Sequence, residues 1–590
     1  MSRSQALTLL LLFPFLSCKM PRTMPLFSIP FEKNDNQTLS YREAIACYEK
    51  MAAAYPKIFQ LTPTGSTDVG EPLHVAVLNT AGEFDPDKIR RAGKRILMIN
   101  NGIHPGEPEG IDATVLLLRA YLEKPELLKK LEHIALVVIP VYNVDGCLNR
   151  NSFTRTNQNG PEAYGFRGNA RYYDLNRDFV KCDSRNARSF NHIFSTWKPD
   201  IFIDNHTSNG ADYQYTMTLI ATQHDKLEAP LGRFLQETML PELYGAMKAK
   251  KWEMIPYVDT PGETPDSGIN GFSDSGRYST GYAALWNTIG FMPETHMLKP
   301  FRDRLWSTYA FMEAVIDFTG THREEIAKVR AEAFQRTRSK QVFELDWAPD
   351  QQKHDTLIFK GYEAKYKPSD VSGLPRLWYD REAPYEKPIP YYNYFKPVLS
   401  VEKPVAYIIP KAWETVIDRL QNNGVAMQRL SEDVQLDVET YFIRDFKTRE
   451  HWEGHYYHHS IGIEKKTMAR TFSKGDFVVF TDQDANRYLI ETLEPNAPDS
   501  WVAWNFFDPV LMQKEYFSAY VFEDLAAQYL DEHPELRAEL DAKRNAEPEF
   551  AANARAQLDW VYRKSPWYEP GHRMYPVGRL LKSSALPLEK

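Results

Sequence analysis

Between residues 41 and 340 the chain alternates short unbroken apolar runs with stretches whose apolar residues recur at helical spacing. Residues 41–55 carry the helical pattern, and 62–79 read as a pair of strands turning at Gly70-Glu71-Pro72. The run Ile96-Leu97-Met98-Ile99 predicts a buried strand, 111–122 a helix after Gly110, and 134–141 a second apolar strand. Ile201-Phe202-Ile203 and residues 289–292 add two more, with helical 231–250 between them. Continuous Val/Ile/Leu runs separated by helices predict an α/β fold, a mixed and largely parallel sheet flanked by helices. In such sheets ligands gather at the carboxyl ends of the strands.

The pattern changes after a helical stretch at 302–340. Residues 374–404 are crowded with Pro and Tyr, too apolar for a free linker, and predict packed extended coil. Beyond them the spacing gives a strand at 405–409, a helix at 412–422, strand-rich sequence from 428 to 478, and helices over 516–562 broken at Glu547-Pro548. A chain of 590 residues exceeds one hydrophobic core. The expected division is therefore a leader at 1–18, a larger domain at 19–340, and a C-terminal α+β accessory domain at 341–590.

The leader comes from Arg3 followed by the apolar stretch 6–16 and Ser17-Cys18, the layout of a secretory signal and too short to span a bilayer. Cys18 is a candidate lipid attachment site, with simple cleavage nearby as the alternative. No other stretch suits a membrane helix, so the expected location is exported: periplasmic, extracellular or lipid-tethered. The net charge of -8 gives no basic face for nucleic acid. Cys47, Cys147 and Cys182 are an odd set; Cys147 with Cys182 is the expected pair if one forms, and three buried thiols are the other reading.

The polar clusters follow the apolar strands. The first strand runs into Asn101-Gly102-Ile103-His104-Pro105-Gly106-Glu107, where a His and a Glu three apart on a stiff turn can aim at one cation. Alone that spacing is common. A second strand runs into Asn143-Val144-Asp145-Gly146, a third into Asp204-Asn205-His206-Thr207, and a fourth into Glu294-Thr295-His296. His206 supplies a third ligand, and two His with one carboxylate leave an open position, the pattern of a catalytic zinc. Glu294 is the candidate proton carrier. Asn176-Arg177 pairs an amide with a guanidinium suited to a carboxylate, and Arg155 can polarise a carbonyl, with Arg167 and Arg171 as competitors. His451, His455, His458 and His459, set among aromatics, read as an aromatic strand or loop rather than a second metal site.

The set His104-x-x-Glu107, Asn143-x-Asp145-Gly146, Asn176-Arg177, His206 and Glu294, in that order, resembles the zinc carboxypeptidases of the carboxypeptidase A/B-like metallopeptidase family over residues 40–320. The resemblance implies one Zn2+ per chain on His104, Glu107 and His206, Glu294 as general base then acid, and Arg155 on the scissile carbonyl. It also implies Asn176 and Arg177 on the terminal carboxylate of a peptide or peptide-like substrate. The family's mobile tyrosine corresponds to Tyr278 or Tyr282, with Tyr278 preferred. The C-terminal part is similar to the accessory region of larger bacterial members. The expected activity is metallocarboxypeptidase. A zinc amidase acting on acyl-amino acids or cell-wall peptides, and a zinc-less binding protein, are the alternatives.

Overall fold

The computed structural model describes residues 25–589, so the apolar leader and Cys18 lie outside the described residues. Nine strands form the main sheet: β1 (Phe59–Ser66), β2 (Pro72–Leu78), β3 (Arg95–Asn100), β4 (Ile134–Ile139), β5 (Ile201–Asp204), β6 (His206–Ser208), β7 (Met217–Ala221), β8 (Met254–Pro256) and, after a short strand β9 (Ile269–Asn270) outside this sheet, β10 (Ile289–His296). Their order is β1-β2-β4-β3-β5-β10-β7-β8, with β6 continuing beside β10. The central strands β4, β3, β5 and β10 run parallel, while β2 and β7 pair antiparallel on either side. The parallel four explain the sequence pattern. Helices cover both faces, so Ile96 to Ile99, Ala135 to Val137 and Ile201 to Ile203 have no solvent-facing side to make polar.

The flanking helices begin where capping chemistry starts them. Ser40 accepts the Glu43 N–H and Glu43 reaches back to the Ser40 N–H at the head of Tyr41–Ala54. Ser184 accepts the Ala187 N–H at the head of Arg185–Trp197. The long helical stretch before residue 340 is two helices, Phe301–Thr321 and Arg323–Ser339, meeting at His322.

From Val342 onward the chain is β-rich. Residues 374–404 are not coil: Pro375–Tyr392 is a long strand paired with Asp355–Pro368, and Phe395–Glu402 pairs with Val342–Pro349. The prolines misled because strands avoid them. Pro384, Pro388 and Pro390 are all even-numbered, so their missing N–H groups fall on one edge of the strand. A second hairpin, Val434–Trp452 with His455–Phe472, belongs to a six-stranded sheet, and four helices within Ala519–Lys564 enclose a small core of their own. The main hydrophobic core runs without interruption from Phe27 to Val577, across residue 340.

Cys47, Cys147 and Cys182 are free, buried thiols, so the Cys147–Cys182 pairing is absent and the other reading holds. Burial pushes the Cys147 and Cys182 thiols up to about 12, which keeps them unreactive. Among the described residues no helix is long and apolar enough to cross a membrane.

Candidate metal centre and substrate cleft

His104, Glu107 and His206 converge at the carboxyl edge of the sheet, each buried, with one potential ligand atom apiece within 4.8 Å of the others. The turn after β3 delivers the first two. Gly102 sits at φ 64°, and a side chain on Gly106 would collide with the Arg155 chain at 2.6 Å, so glycine at 106 lets an arginine pass over the turn. β5 breaks at Asn205 and resumes as β6, which pairs in parallel with β10 so that His206 and Glu294 stand side by side in register.

Each imidazole is oriented by a carboxylate behind it. His104 Nε2 lies 2.8 Å from Asp174 Oδ1, and His206 Nε2 lies 2.9 Å from Asp204 Oδ2. A carboxylate only accepts, so the hydrogen is on Nε2 in both rings and the lone pair of the neutral ring is on Nδ1. Both Nδ1 atoms face Glu107, at 3.4 Å and 3.3 Å. His104 Nδ1 is buried without a hydrogen-bond partner, the mark of an atom kept for a ligand. The donor set suits zinc, so the residues fit the ion that the sequence implies.

The charges here are tightly coupled. Burial alone would raise the Glu107 carboxyl, but His104 and Arg155 hold it well below the usual carboxylate range. Burial likewise opposes charge on His206, yet Asp204, Glu107 and Glu294 raise it well above the usual imidazole value. Glu294 moves the other way: burial, with Glu107 adding to it, pushes its carboxyl up to about 8. Asp174 is held low by His104, Arg167 and Arg177 against its burial.

A cavity of about 320 Å³ opens over these residues, lined also by Arg155, Arg167, Asn176, Arg177, Tyr278 and Glu294. All the residues singled out in the sequence for metal, base, carbonyl and clamp therefore share one cleft. The arginine alternatives separate. Arg155 is 14% exposed and spent on Glu107 Oε1 at 3.0 Å, the Thr207 carbonyl and Gln158, whereas Arg167 is 47% exposed and ion-paired to Asp174 at 2.9 Å. Arg171 turns away to the Asp183 carbonyl and the Tyr173 hydroxyl.

The tyrosine choice separates as well. Tyr282 is buried and donates its hydroxyl to Asn423, while Tyr278 lines the cavity with the Arg177 guanidinium 4.5 Å from its ring centre. Asn176 accepts the Ser279 N–H at 3.1 Å, which ties the Asn176–Arg177 turn to the segment that carries Tyr278. Asn143 works from behind, capping Gly146 N–H and donating to the Arg167 carbonyl. Sequence reasoning passed over Asp174 and Asp204. Asp204 had a signal, its place two residues before His206 at the end of β5; Asp174 had none beyond its place two residues before Asn176.

The histidines of the accessory hairpin do not gather a metal. His455 pairs with Asp183 and His458 with Asp508, and the one His/Cys/Asp/Glu group among the described residues that could hold an ion is His104, Glu107 and His206.

Residues 44–217 match the family model described as zinc carboxypeptidase. Carboxypeptidase 2 of Trichophyton rubrum is 24% identical over 430 residues, covering 69% of this chain and 73% of that one, and carboxypeptidase 2 of Trichophyton equinum is 23% identical over the same length. A metallo-carboxypeptidase structure from Burkholderia cenocepacia aligns at 15% identity and a TM-score of 0.37 over 48% of this chain and 70% of its own. The segment that carries His104, Glu107, Asn176, Arg177 and His206 thus matches the zinc carboxypeptidase family, and the likeness supports a zinc metallopeptidase.

Proposed function

We propose that the protein is a metallocarboxypeptidase that removes the C-terminal residue of peptides, with one zinc ion held by His104 Nδ1, Glu107 and His206 Nδ1. The observation that carries this reading is the layout of the cleft: an uncoordinated carboxylate, Glu294, sits beside the His-Glu-His cluster, and Arg177 with Asn176 lines the same cavity. Zinc supplies Lewis acidity that lowers the pKa of water and polarises a carbonyl. The protein's own groups do the rest. Asn176 and Arg177 bind the substrate's terminal carboxylate through a guanidinium fork and an amide, which sets the last peptide bond over the cluster. Glu294 takes the proton of the attacking water and returns it to the departing amine, so no net proton is consumed by the side chain.

Arg155 is the carbonyl-polarising candidate of the sequence. Its hydrogen bonds to Glu107 and the Thr207 carbonyl give it a second part to play, holding the carboxylate ligand in place. Arg167 is the more open guanidinium, and we assign it to share the developing oxyanion. Tyr278 closes over the bound carboxylate from the side of Arg177. Ile220, Met292, Phe272 and Tyr257 form the apolar wall of the cavity, and among the described residues its lining carboxylates are Glu107 and Glu294, so an apolar C-terminal side chain is favoured over a basic one. Export by the N-terminal leader remains part of this reading.

The test is Glu294→Gln. The variant should retain zinc, because Glu294 is not a ligand, and lose hydrolysis by several orders of magnitude on a mixture of peptides, N-acyl amino acids and murein peptides. Near-normal turnover would remove Glu294 from the mechanism. Cleavage by the native protein confined to the acyl-amino acids or murein peptides would move the activity to the amidase class.

A further inference from the structure

The hairpin Val434–Trp452 and His455–Phe472 turns at Glu453-Gly454, and four consecutive residues of that turn touch the segments that carry the clamp. Trp452 lies 4.6 Å from the Arg277 guanidinium, in an aromatic box completed by Tyr457 and Trp504 at 4.8 and 5.0 Å. Asp499 fixes the same arginine at 2.7 Å. The next residue in the chain is Tyr278. Glu453 Oε2 accepts the backbone N–H of Asp174 at 2.9 Å. Gly454, at φ 78°, presses against Tyr173 so closely that a Cβ would stand 2.7 Å from the ring. His455 Nε2 lies 2.6 Å from Asp183, which also takes Lys181 and Arg419.

Asp174 is where these contacts reach the chemistry. One of its oxygens holds His104 Nε2 and the Asn176 N–H, the other holds Arg167, and Arg177 stands 3.9 Å away. A carboxylate hydrogen bond to its N–H restrains the main chain from which all four are held. The geometry points to Glu453 as a positioning residue for the metal ligand His104 and the Asn176–Arg177 clamp, acting through Asp174. The accessory hairpin thereby completes a site whose metal, base and clamp residues all come from the first 340 residues.

This inference rests on the proposed function for its kinetic readout, but not for its structural one. In the full chain, Glu453→Ala is compared with Glu453→Gln, which keeps an acceptor oxygen, and with Glu450→Ala, which removes an exposed charge from the same hairpin. Three quantities are read: amide hydrogen exchange over residues 172–178, the rate of zinc release to a chelator, and the split between KM and kcat on a peptide with a free carboxylate. Glu453→Ala should speed exchange in that segment, release zinc about tenfold faster, and raise KM by more than it lowers kcat. Glu453→Gln should stay within about twofold of the native protein, and Glu450→Ala should match it. Equal effects of Ala and Gln at 453, or none from Ala, would overturn the assignment. Amide exchange needs neither metal nor peptide, so a protein that bound no zinc would defeat the functional reading while this one was still decided.

Discussion

The sheet edge at His104 and the hairpin tip at Glu453 meet at one loop and are built on different physics. At the sheet edge, His104, Glu107 and His206 follow strands that are buried almost throughout, and β5, β6 and β10 fix His206 against Glu294 by backbone register. At the tip, position comes from side chains on an antiparallel ribbon with many exposed residues, docked through the Glu453 and His455 hydrogen bonds, one glycine contact and an aromatic box. Register in a buried sheet is costly to shift, because a slip of one residue exposes an apolar face. A docked tip can move as a unit. His206 and Glu294 are therefore the rigid reference, and the Asn176–Arg177 end, with the His104 ring that shares Asp174, is the part whose geometry depends on a distant segment.

That contrast orders the expected effects. Arg177→Ala should lower kcat/KM on peptides with a free C-terminal carboxylate by about 100-fold or more, through KM, because the half-buried guanidinium that pairs with the carboxylate is lost. C-terminally amidated peptides should be nearly unaffected, and equal loss on both would show that Arg177 is not the clamp. Asp204→Ala removes the group that orients His206 and should weaken zinc binding about 10- to 100-fold, measured by competition with a chromophoric chelator. Asp508→Ala is the matched control, since His458 and Asp508 make a 2.9 Å pair of similar form in the accessory region without serving a ligand. Its zinc affinity should equal that of the native protein.

The smallest effect is on stability. In the metal-free folded protein Glu294 holds its proton up to about 8, against 4.5 for the ordinary group. The folded state then binds a proton that the unfolded chain has released, so this contribution is fully present below about 4.5 and is lost as pH rises through about 8. Its slope is at most about 1.4 kcal/mol per pH unit. Thermal melts of metal-free Glu294→Gln should show a shallower fall between pH 5 and 8 than the native protein, and identical slopes would show that Glu294 ionises freely. Zinc beside it stabilises the carboxylate, so the effect should shrink in the loaded protein.

The same contrast decides what could be read in the sequence. His104, Glu107, His206 and Glu294 were legible because each sits just past an unbroken apolar run, and strand ends in a parallel sheet face one side. The helix over residues 41–54 and the turn near Gly70 were legible from period and turn chemistry. Residues 375–392 were not, because four prolines mask a strand when only local pattern is visible. Arg155 and Arg167 could not be told apart in a loop without period. Glu453 lies 279 residues from Asp174, and no local pattern connects them.

The most direct test of the account is product analysis by mass spectrometry on one peptide offered with a free and with an amidated C-terminus. The free acid should lose a single C-terminal residue and then shorten stepwise, and the amide should remain intact over the same period. Internal cleavage, release from the N-terminus, or equal trimming of both forms would contradict a site that registers its substrate by the carboxylate held at Asn176 and Arg177.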